Sequence, residues 1–443
     1  MSNEVNRMRI AWFTPLSTRS AIGEFSVHVT AELAKLANVE IWTSDEPPYH
    51  ATDLTVVGYS GNSVDLNVLD HREVIIYNMG DYLPFHGHMH SVARRYPGVV
   101  ILHDRVLHHL YAGMWLTETE QLPQAYVERM RMYYGHAGEK VARESLEGKR
   151  QPVWECDEEV LRYPLYEEAI VNARGVVTHS ERQAAEIRQK WWGPVSSLHL
   201  PCYHEALRRV DDTFTKPPDG RIHIVTVGHV NPNKQIHRVV GLIAADEELA
   251  KRVHYTVVGP DDGFLDYVSD LRRLVDRHSD RVSIEILGWR PHDELEELMA
   301  KADLFVNLRY PSMEGSSASL MQQLAYARPV LCFDTGFFGE LPDDAVARVQ
   351  AGDFGQAAVT LKELVQDSGR RRRIGERGRQ VAASYDERSY AAGLINVIQQ
   401  SRHATPALSF VDSVAQELGH MQVDDRLPIF DEIAGDFGRV LTL

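Results

Sequence analysis

An acid and two serines stand close together directly after the apolar run at residues 303–308. This order predicts a strand, a loop that holds Glu314, and a helix that opens near Ser316 and Ser317. The first turn of a helix presents unpaired N–H groups and a positive dipole end, which attract anions. We therefore predict that Gly315, Ser316 and Ser317 bind a phosphate with Glu314 beside it. In the structural alternative, Ser316 is an N-cap and Glu314 a first-turn carboxylate.

A second set of candidate ligand-binding residues follows predicted strands that end in glycine. Gly228 is followed by His229 and then by Lys234, and Gly288 is followed by Trp289. Lys234 at a helix start can supply a positive charge to a diphosphate, whereas an ordinary surface lysine is the structural alternative. The glycines allow a flat base or a ribose to approach the backbone.

The first half of the chain offers Gly23 and His103. Gly23 would open the first helix and let the backbone approach a ligand, although a plain turn residue fits the pattern equally well and no GxGxxG fingerprint is present. His103 follows a predicted strand, where an imidazole can bind a sugar hydroxyl and stabilise developing charge. A structural histidine is the alternative.

Three histidines, His86, His88 and His90, are spaced by two residues. Neither a cysteine nor a pair of acids completes a metal-ligand set beside them. We predict a solvated loop here and no metal or other cofactor.

Composition narrows the class of protein. The 443 residues are 44% hydrophobic and 25% charged, which suggests two or three globular domains. The formal net charge of -16 argues against nucleic acid as a partner. Three cysteines without a metal or redox spacing indicate a reducing compartment. We find neither a secretion signal nor a long apolar run, so we expect a cytoplasmic protein.

Short β-branched runs alternate with helical stretches, which is typical of parallel sheets wrapped by helices. We predict an α/β fold with two series of strands, separated by a polar linker at 211–220 that is rich in proline and glycine. The first series comprises residues 8–13, 39–42, 74–77, 99–102, 176–178 and 196–200. The second comprises 221–227, 255–258, 282–286, 304–307, 330–333 and 347–349, with helices over 265–277, 292–300 and 354–366.

The chain resembles the retaining, nucleotide-sugar-dependent glycosyltransferases of the GT-B fold, family four, also called glycosyl transferases group 1. The resemblance covers nearly the whole chain and rests on the order of several short motifs. These are residues 21–23, 102–104, 177–180, 228–234, 288–289, 302–306, 311–315 and 333–336, with Glu340. It implies two doubly wound Rossmann-like domains facing across a cleft.

The resemblance also implies a division of labour among three parts of the chain. Residues 1–210 would form the acceptor domain and 221–385 the nucleotide-sugar (donor) domain. The helices over 386–443 would begin with one that packs back on the N-terminal domain. By the same resemblance no metal is needed.

Individual roles follow from the match to the family motifs. Glu314 would contact hydroxyls of the donor sugar, and His103 would lie near the transferred sugar. The amide of Gly23 would approach the phosphate, and Gly288 and Trp289 would hold the base. Together with Lys234, which stabilises charge, Glu314 and His103 form the predicted catalytic set.

Two positions depart from the family pattern. Gln322 stands where a second acid usually binds the ribose diol, and an amide lacks the charge-assisted strength of a carboxylate. His229 stands where many members place a phosphate-binding arginine. Phosphate binding would therefore depend more on Lys234.

The predicted function is transfer of a sugar, with retention, from a nucleoside diphosphate sugar to a glycan, lipid-linked or protein acceptor in surface polysaccharide or glycoconjugate synthesis. The aromatic and basic stretch at 126–134 suggests peripheral membrane contact, with an ordinary core helix as the alternative. Residues 386–403 are predicted to be helical. Two further helices, over 411–418 and 424–437, are expected to form a small accessory element or a junction to an accessory module or subunit.

Three other functions fit parts of the sequence. A noncatalytic GT-B subunit that activates a partner glycosyltransferase would account for Gln322 and His229. A nucleotide-sugar epimerase would use a donor without an acceptor. A Rossmann dehydrogenase is disfavoured, because the GxGxxG motif with a following acid is missing.

Overall fold

The computed structural model describes residues 7–59, 66–117, 122–203, 207 and 220–420. The chain divides into two compact units. Unit 1 comprises Met1–His199 and Arg388–Leu443, and unit 2 comprises Leu200–Glu387. Nearly all of the predicted linker and the predicted helix over 424–437 lie outside the described residues.

Unit 1 contains a seven-stranded parallel sheet with helices between its strands. The strands are β1 Arg9–Phe13, β2 Asn38–Thr43, β3 Val56–Gly58, β4 Val74–Met79, β5 Val99–Leu102, β6 Gly175–Thr178 and β7 Val195–Ser197. The helices are α1 Ala21–Leu33, α2 Leu83–Arg95, α3 His108–Leu116, α4 Pro123–Leu146, α5 Asp157–Arg162, α6 Tyr166–Ile170 and α7 Glu181–Arg188. The strand order β3-β2-β1-β4-β5-β6-β7 is doubly wound.

Unit 2 repeats this plan with six parallel strands. They are β8 Ile222–Val227, β9 Val253–Val258, β10 Ser283–Gly288, β11 Leu304–Asn307, β12 Val330–Phe333 and β13 Ala347–Val349, in the order β10-β9-β8-β11-β12-β13. The helices are α8 Ile236–Ala245, α9 Glu247–Arg252, α10 Leu265–Asp276, α11 His292–Ala300, α12 Ala318–Ala325, α13 Phe354–Gln366 and α14 Ser368–Ser384. The helix α15 Glu387–His420 then runs into unit 1.

The sheets form because their strands are apolar on both faces. All six residues of Val74–Met79 are buried, as are all four of Leu304–Asn307 and of Val330–Phe333. Strands buried on both faces require helices on each side of the sheet. The predicted α/β fold is confirmed, and most strand boundaries agree within two residues.

Two local features differ from the prediction. The edge strand Val56–Gly58 was not predicted, because three residues are too few to show a pattern. Residues 86–90 form part of the helix Leu83–Arg95 rather than a solvated loop. His86 and His90 are one turn apart and face the core, while His88 is exposed.

The C-terminal helix also differs from the prediction. Glu387–His420 is one helix that continues through Pro406, where a break was expected. Its first half buries Tyr390, Leu394 and Ile398. Its second half stays attached to unit 1 through the Arg174–Asp412 ion pair, with a nitrogen–oxygen distance of 2.9 Å. These contacts compensate for the backbone hydrogen bond that a proline removes.

Helix α4 packs against the core of unit 1. Tyr126, Val127 and Met130 are buried, which fits the ordinary core helix weighed above. Within the described ranges, no helix combines the length and the apolar character needed to cross a membrane.

Candidate functional site

The carboxyl ends of β8, β9 and β10 are joined through three glycines. Gly228, Gly259 and Gly288 have φ angles of +102°, +144° and +69°. The Gly228 N–H donates to Val258 O at 2.9 Å, and the Gly259 N–H donates to Gly288 O at 3.0 Å. A Cβ on Gly259 would lie 2.4 Å from Gly228 O. Only glycine fits this backbone-to-backbone packing, which forms one edge of a candidate site.

Lys234 is buried beneath this glycine edge. Its Nζ donates to Val227 O at 2.6 Å, and the residue is 5% exposed. A Cβ on Gly228 would lie 2.3 Å from Nζ. Burial lowers the pKa of Lys234 well below its usual value, and the positive charge of Arg309 lowers it further. The surface-lysine alternative is therefore wrong.

Arg309 was not singled out from the sequence, yet it lies at the centre of this site. Its guanidinium forms an ion pair with Glu314. Its Nε donates to Asn307 Oδ1 at 3.0 Å, and its Nη2 donates to Ser319 Oγ at 3.3 Å. The signal available in the sequence was a cation placed two residues after the end of a buried strand.

Ser317, rather than Ser316, caps helix α12. Ser317 has extended backbone angles, and its Oγ accepts from Leu320 N at 3.3 Å. Glu314 precedes this cap by three residues and lies in the loop, so it is not a first-turn carboxylate. Both parts of the structural alternative for this segment are wrong.

Three buried polar atoms on the loops after β8, β11 and β12 have no hydrogen-bond partner among the described residues. They are Asn233 Oδ1, Ser316 Oγ and Thr335 Oγ1. Leaving such an atom unsatisfied costs ~1–3 kcal/mol, so its persistence calls for an explanation. All three follow strands of one parallel sheet, where ligands of doubly wound folds bind. A polar ligand at this edge would supply the missing bonds.

The other predicted donor residues of unit 2 occupy the same series of loops. Trp289 is 65% exposed directly after β10. His229 is half exposed, and its Nε2 lies 3.9 Å from an Asp262 carboxylate oxygen. Gly315 is buried, and Gln322 is partly buried on α12. The structure thus places Arg309 close enough to Lys234 to lower its pKa and pairs Arg309 with Glu314, whereas His229 lies beside Asp262.

In unit 1, His103 lies directly after β5, and its two ring nitrogens face Asn78 and His179. Asn78 Nδ2 donates to Phe13 O at 2.8 Å, so Asn78 Oδ1 accepts from His103 Nε2 at 3.0 Å. His103 Nδ1 lies 3.3 Å from His179 Nε2. Burial lowers the pKa of His103 well below its usual value, and the neighbouring His179 lowers it further. The ring is therefore neutral, and its role toward a sugar stays a prediction.

Gly23 is required by packing in unit 1. A Cβ there would lie 2.9 Å from both Pro15 O and His50 Cδ2. Its N–H donates to Ser20 Oγ, the N-cap of α1, at 3.1 Å. Its predicted contact with a phosphate would require that hydrogen bond to open.

The sequence also gave no warning of an Asp–His pair at the carboxyl edge of unit 1. His109 Nδ1 lies 2.5 Å from Asp81 Oδ2, and Leu110 N donates to Asp81 Oδ1 at 2.9 Å. Burial lowers the pKa of His109, but the Asp81 carboxylate outweighs burial and brings the pKa above its usual value. The pair attaches the start of α3 to the loop after β4.

The described part of the chain contains no group of three or more His, Cys, Asp or Glu side chains that could hold a metal ion. The buried His86 and His90 belong to the core of unit 1.

Solved structures share this architecture. Sucrose-phosphate synthase from Thermosynechococcus elongatus superposes with a TM-score of 0.58 at 15% identity, covering 90% of this chain and 100% of that chain. Trehalose 6-phosphate synthase from Burkholderia multivorans gives 0.58 at 11% identity, covering 90% and 100%. HepE from Anabaena, in complex with UDP and glucose, gives 0.56 at 13% identity, covering 88% and 99%.

These similarities establish that the chain has the GT-B fold of glycosyltransferase structures. Within the chain, residues 208–381 match the model of the family described as glycosyl transferases group 1. The matched region is less than half of the chain and corresponds closely to unit 2. A comparison with curated protein sequences gives no significant match.

Proposed function

We propose that this protein is a retaining hexosyltransferase that moves a sugar from a nucleoside diphosphate sugar to a hydroxyl of a glycan, lipid-linked or protein acceptor. Unit 2 binds the donor, and unit 1 contributes most of the acceptor site. The reaction belongs to cytoplasmic synthesis of surface polysaccharides or glycoconjugates. The match of residues 208–381 to glycosyl transferases group 1 supports the reaction class.

One observation carries the proposal. Lys234 is a buried amine whose Nζ donates to Val227 O at the end of β8, and the buried guanidinium of Arg309 is close enough to lower its pKa beyond the effect of burial. Two cations in a low-dielectric site repel each other and favour a bound anion. A diphosphate satisfies this requirement, and the unpaired hydroxyls of Ser316 and Thr335 can donate hydrogen bonds to a donor ligand, whereas the unpaired Asn233 Oδ1 can only accept one from a hydroxyl of that ligand.

The proposed chemistry is a substitution at the anomeric carbon on one face of the sugar. The bond from that carbon to the phosphate oxygen breaks, and a bond to the acceptor oxygen forms on the same face. The acceptor proton passes to the leaving phosphate, so a protein base is not needed. Lys234 stabilises the charge that develops on the phosphate, and Glu314 orients the sugar hydroxyls.

A thermal-shift screen of UDP, GDP and ADP and of their sugars tests the donor class. A ligand at about one hundred times its dissociation constant stabilises the protein by ~2.7 kcal/mol, which is readily measured. The stabilising sugar nucleotide is then incubated with candidate acceptors, and the anomeric configuration of the product is read by NMR. Failure of every nucleotide to shift the melting temperature would contradict the proposal.

A second candidate is a noncatalytic GT-B subunit that activates a partner glycosyltransferase. Glu314 is already paired with Arg309, and Gln322 stands in place of the second acid. Nucleotide binding without turnover by the isolated chain would favour this candidate. Release of a free epimer from donor alone would instead indicate a nucleotide-sugar epimerase.

A further inference from the structure

Arg309 is held in unit 2 by contacts that fix its guanidinium between a strand end and a helix start. Nε binds Asn307, the last residue of β11, and Nη2 binds Ser319 in the first turn of α12. The side chain is 6% exposed. A buried guanidinium costs free energy unless an anion faces it, so its placement here requires a counter-charge.

The counter-charge in the free protein is Glu314, and it differs from Arg309 in exposure. The Glu314 side chain is 35% exposed, whereas that of Arg309 is 6% exposed. The carboxylate therefore reaches the pair from the solvent side. It can turn toward solvent at low cost, while the guanidinium cannot leave its position.

The group formed by Lys234, Arg309 and Glu314 has two basic side chains and one carboxylate. Burial lowers the pKa of Lys234, and the positive charge of Arg309 lowers it further. Glu314 pairs with Arg309, and an anionic ligand at this site would favour the protonated form of Lys234. The residue predicted to assist with phosphate, His229, instead lies beside Asp262.

We propose that Arg309 is a diphosphate-binding residue that acts with Lys234. In the free protein, the Glu314 carboxylate occupies the position of the diphosphate beside Arg309 until the donor binds. The proposal rests on the proposed function and extends it to a residue outside the predicted site. When a phosphate takes over the guanidinium, the carboxylate is released to bind the hydroxyls of the donor sugar. One exchange of partners then couples diphosphate binding to sugar orientation.

The exchange predicts effects of opposite sign for the two members of the ion pair. Arg309→Gln removes a charge-assisted contact and weakens diphosphate binding by ~10- to 100-fold. Glu314→Gln removes the competing anion and strengthens it by about fivefold. A purely structural ion pair would make both substitutions weaken binding together, in parallel with a loss of stability.

Arg348 offers a matched control. It is a mostly buried arginine of unit 2, is paired with the exposed Asp343, and donates to Phe338 O at 3.3 Å. Arg348→Gln should change stability without changing diphosphate affinity. Arg309→Lys retains the charge but not the planar fork, so it should bind diphosphate with intermediate affinity and serves if Arg309→Gln does not fold.

Isothermal titration calorimetry on the full chain tests the role of Arg309. The probes are inorganic pyrophosphate, UDP, GDP and ADP, and uridine, guanosine and adenosine serve as phosphate-free comparisons. The expected result is weaker pyrophosphate and diphosphate binding by Arg309→Gln, tighter binding by Glu314→Gln, and unchanged nucleoside binding. The proposal is overturned if Arg309→Gln binds as the wild type does, if both variants weaken alike, or if the wild type binds none of these anions.

The same measurements separate this inference from the proposed function. The protein could bind diphosphate in a way that depends on Arg309 and yet transfer no sugar to any acceptor. That result would reject the proposed glycosyltransferase activity but retain the proposed diphosphate site. If the protein transfers sugar and the Arg309 variants bind diphosphate as the wild type does, only the inference about Arg309 is rejected.

Discussion

Arg309 and Glu314 form an ion pair in which the cation is almost fully buried and the carboxylate remains about one-third exposed. The pair joins the end of β11 to the loop before α12, where the predicted phosphate-binding serines lie. This position makes Glu314 the most informative residue to change.

Glu314→Ala should reduce turnover by about a hundredfold, because it removes one charge-assisted contact to the donor sugar in a closed site. Affinity for the nucleoside diphosphate should not fall, since the base and the phosphates are held by other residues. Steady-state kinetics and calorimetry on the same preparation measure the two quantities. Sugar transfer at the wild-type rate would show that this loop is not the donor site and would favour the noncatalytic subunit.

Lys234→Met should weaken diphosphate binding by ~1.5–3 kcal/mol, the usual contribution of a hydrogen bond to a charged group. Methionine fills much of the same volume, and the variant removes a buried charge, so the fold should be retained. Calorimetry with the diphosphate and thermal unfolding of the free protein report the two effects. The exposed Lys251 on α9, changed in the same way, is the control.

Gln322→Glu should strengthen donor binding by ~1–2 kcal/mol if position 322 faces the ribose, because a carboxylate accepts stronger hydrogen bonds than an amide. The side chain is only partly buried on α12, so a charge can be accommodated there. The intact nucleotide sugar and its 2′,3′-dideoxy analogue are compared by titration. An equal gain for both ligands would place the side chain away from the ribose.

Unit 1 should lose stability as the pH falls below about 6.5, the usual pKa of histidine in an unfolded chain. Burial lowers the pKa of His86 and His90 to about 3 and that of His108 and His179 to about 4. Between these values and 6.5 the unfolded chain binds more protons than the folded one, so the free energy of unfolding rises with pH. Each histidine contributes up to about 1.4 kcal/mol per pH unit.

Urea unfolding at a series of pH values, followed by tryptophan fluorescence, measures this slope. The chain has seven tryptophans, and only Trp289 lies within Leu200–Glu387, the residues of unit 2. The fluorescence signal therefore comes mainly from unit 1. His90→Gln should reduce the slope, because it removes one buried titrating ring. His88→Gln, on the exposed face of the same helix, should leave the slope unchanged. Equal slopes for both variants and the wild type would contradict the assignment.

The sequence by itself determined the two parallel sheets. Runs such as Val99–Leu102 and Val330–Phe333 are apolar at every position. Few folds other than a parallel sheet covered by helices accommodate such runs when helical stretches separate them. Gly228 and Gly288 at the ends of β8 and β10 also marked the site edge, because a backbone position with positive φ favours glycine.

Only the tertiary structure decided which side chains meet. Arg309 follows a strand like many surface arginines, and its ion pair with Glu314 depends on a loop path that no local pattern encodes. The burial of Lys234 depends on the chain turning back beneath Gly228, and the burial of His86 and His90 depends on which face of α2 meets the sheet. Likewise, α15 continues through Pro406 because contacts with unit 1 outweigh one lost hydrogen bond. Sequence periodicity reports how a segment buries its own residues, whereas charge pairing and pKa depend on neighbours distant along the chain.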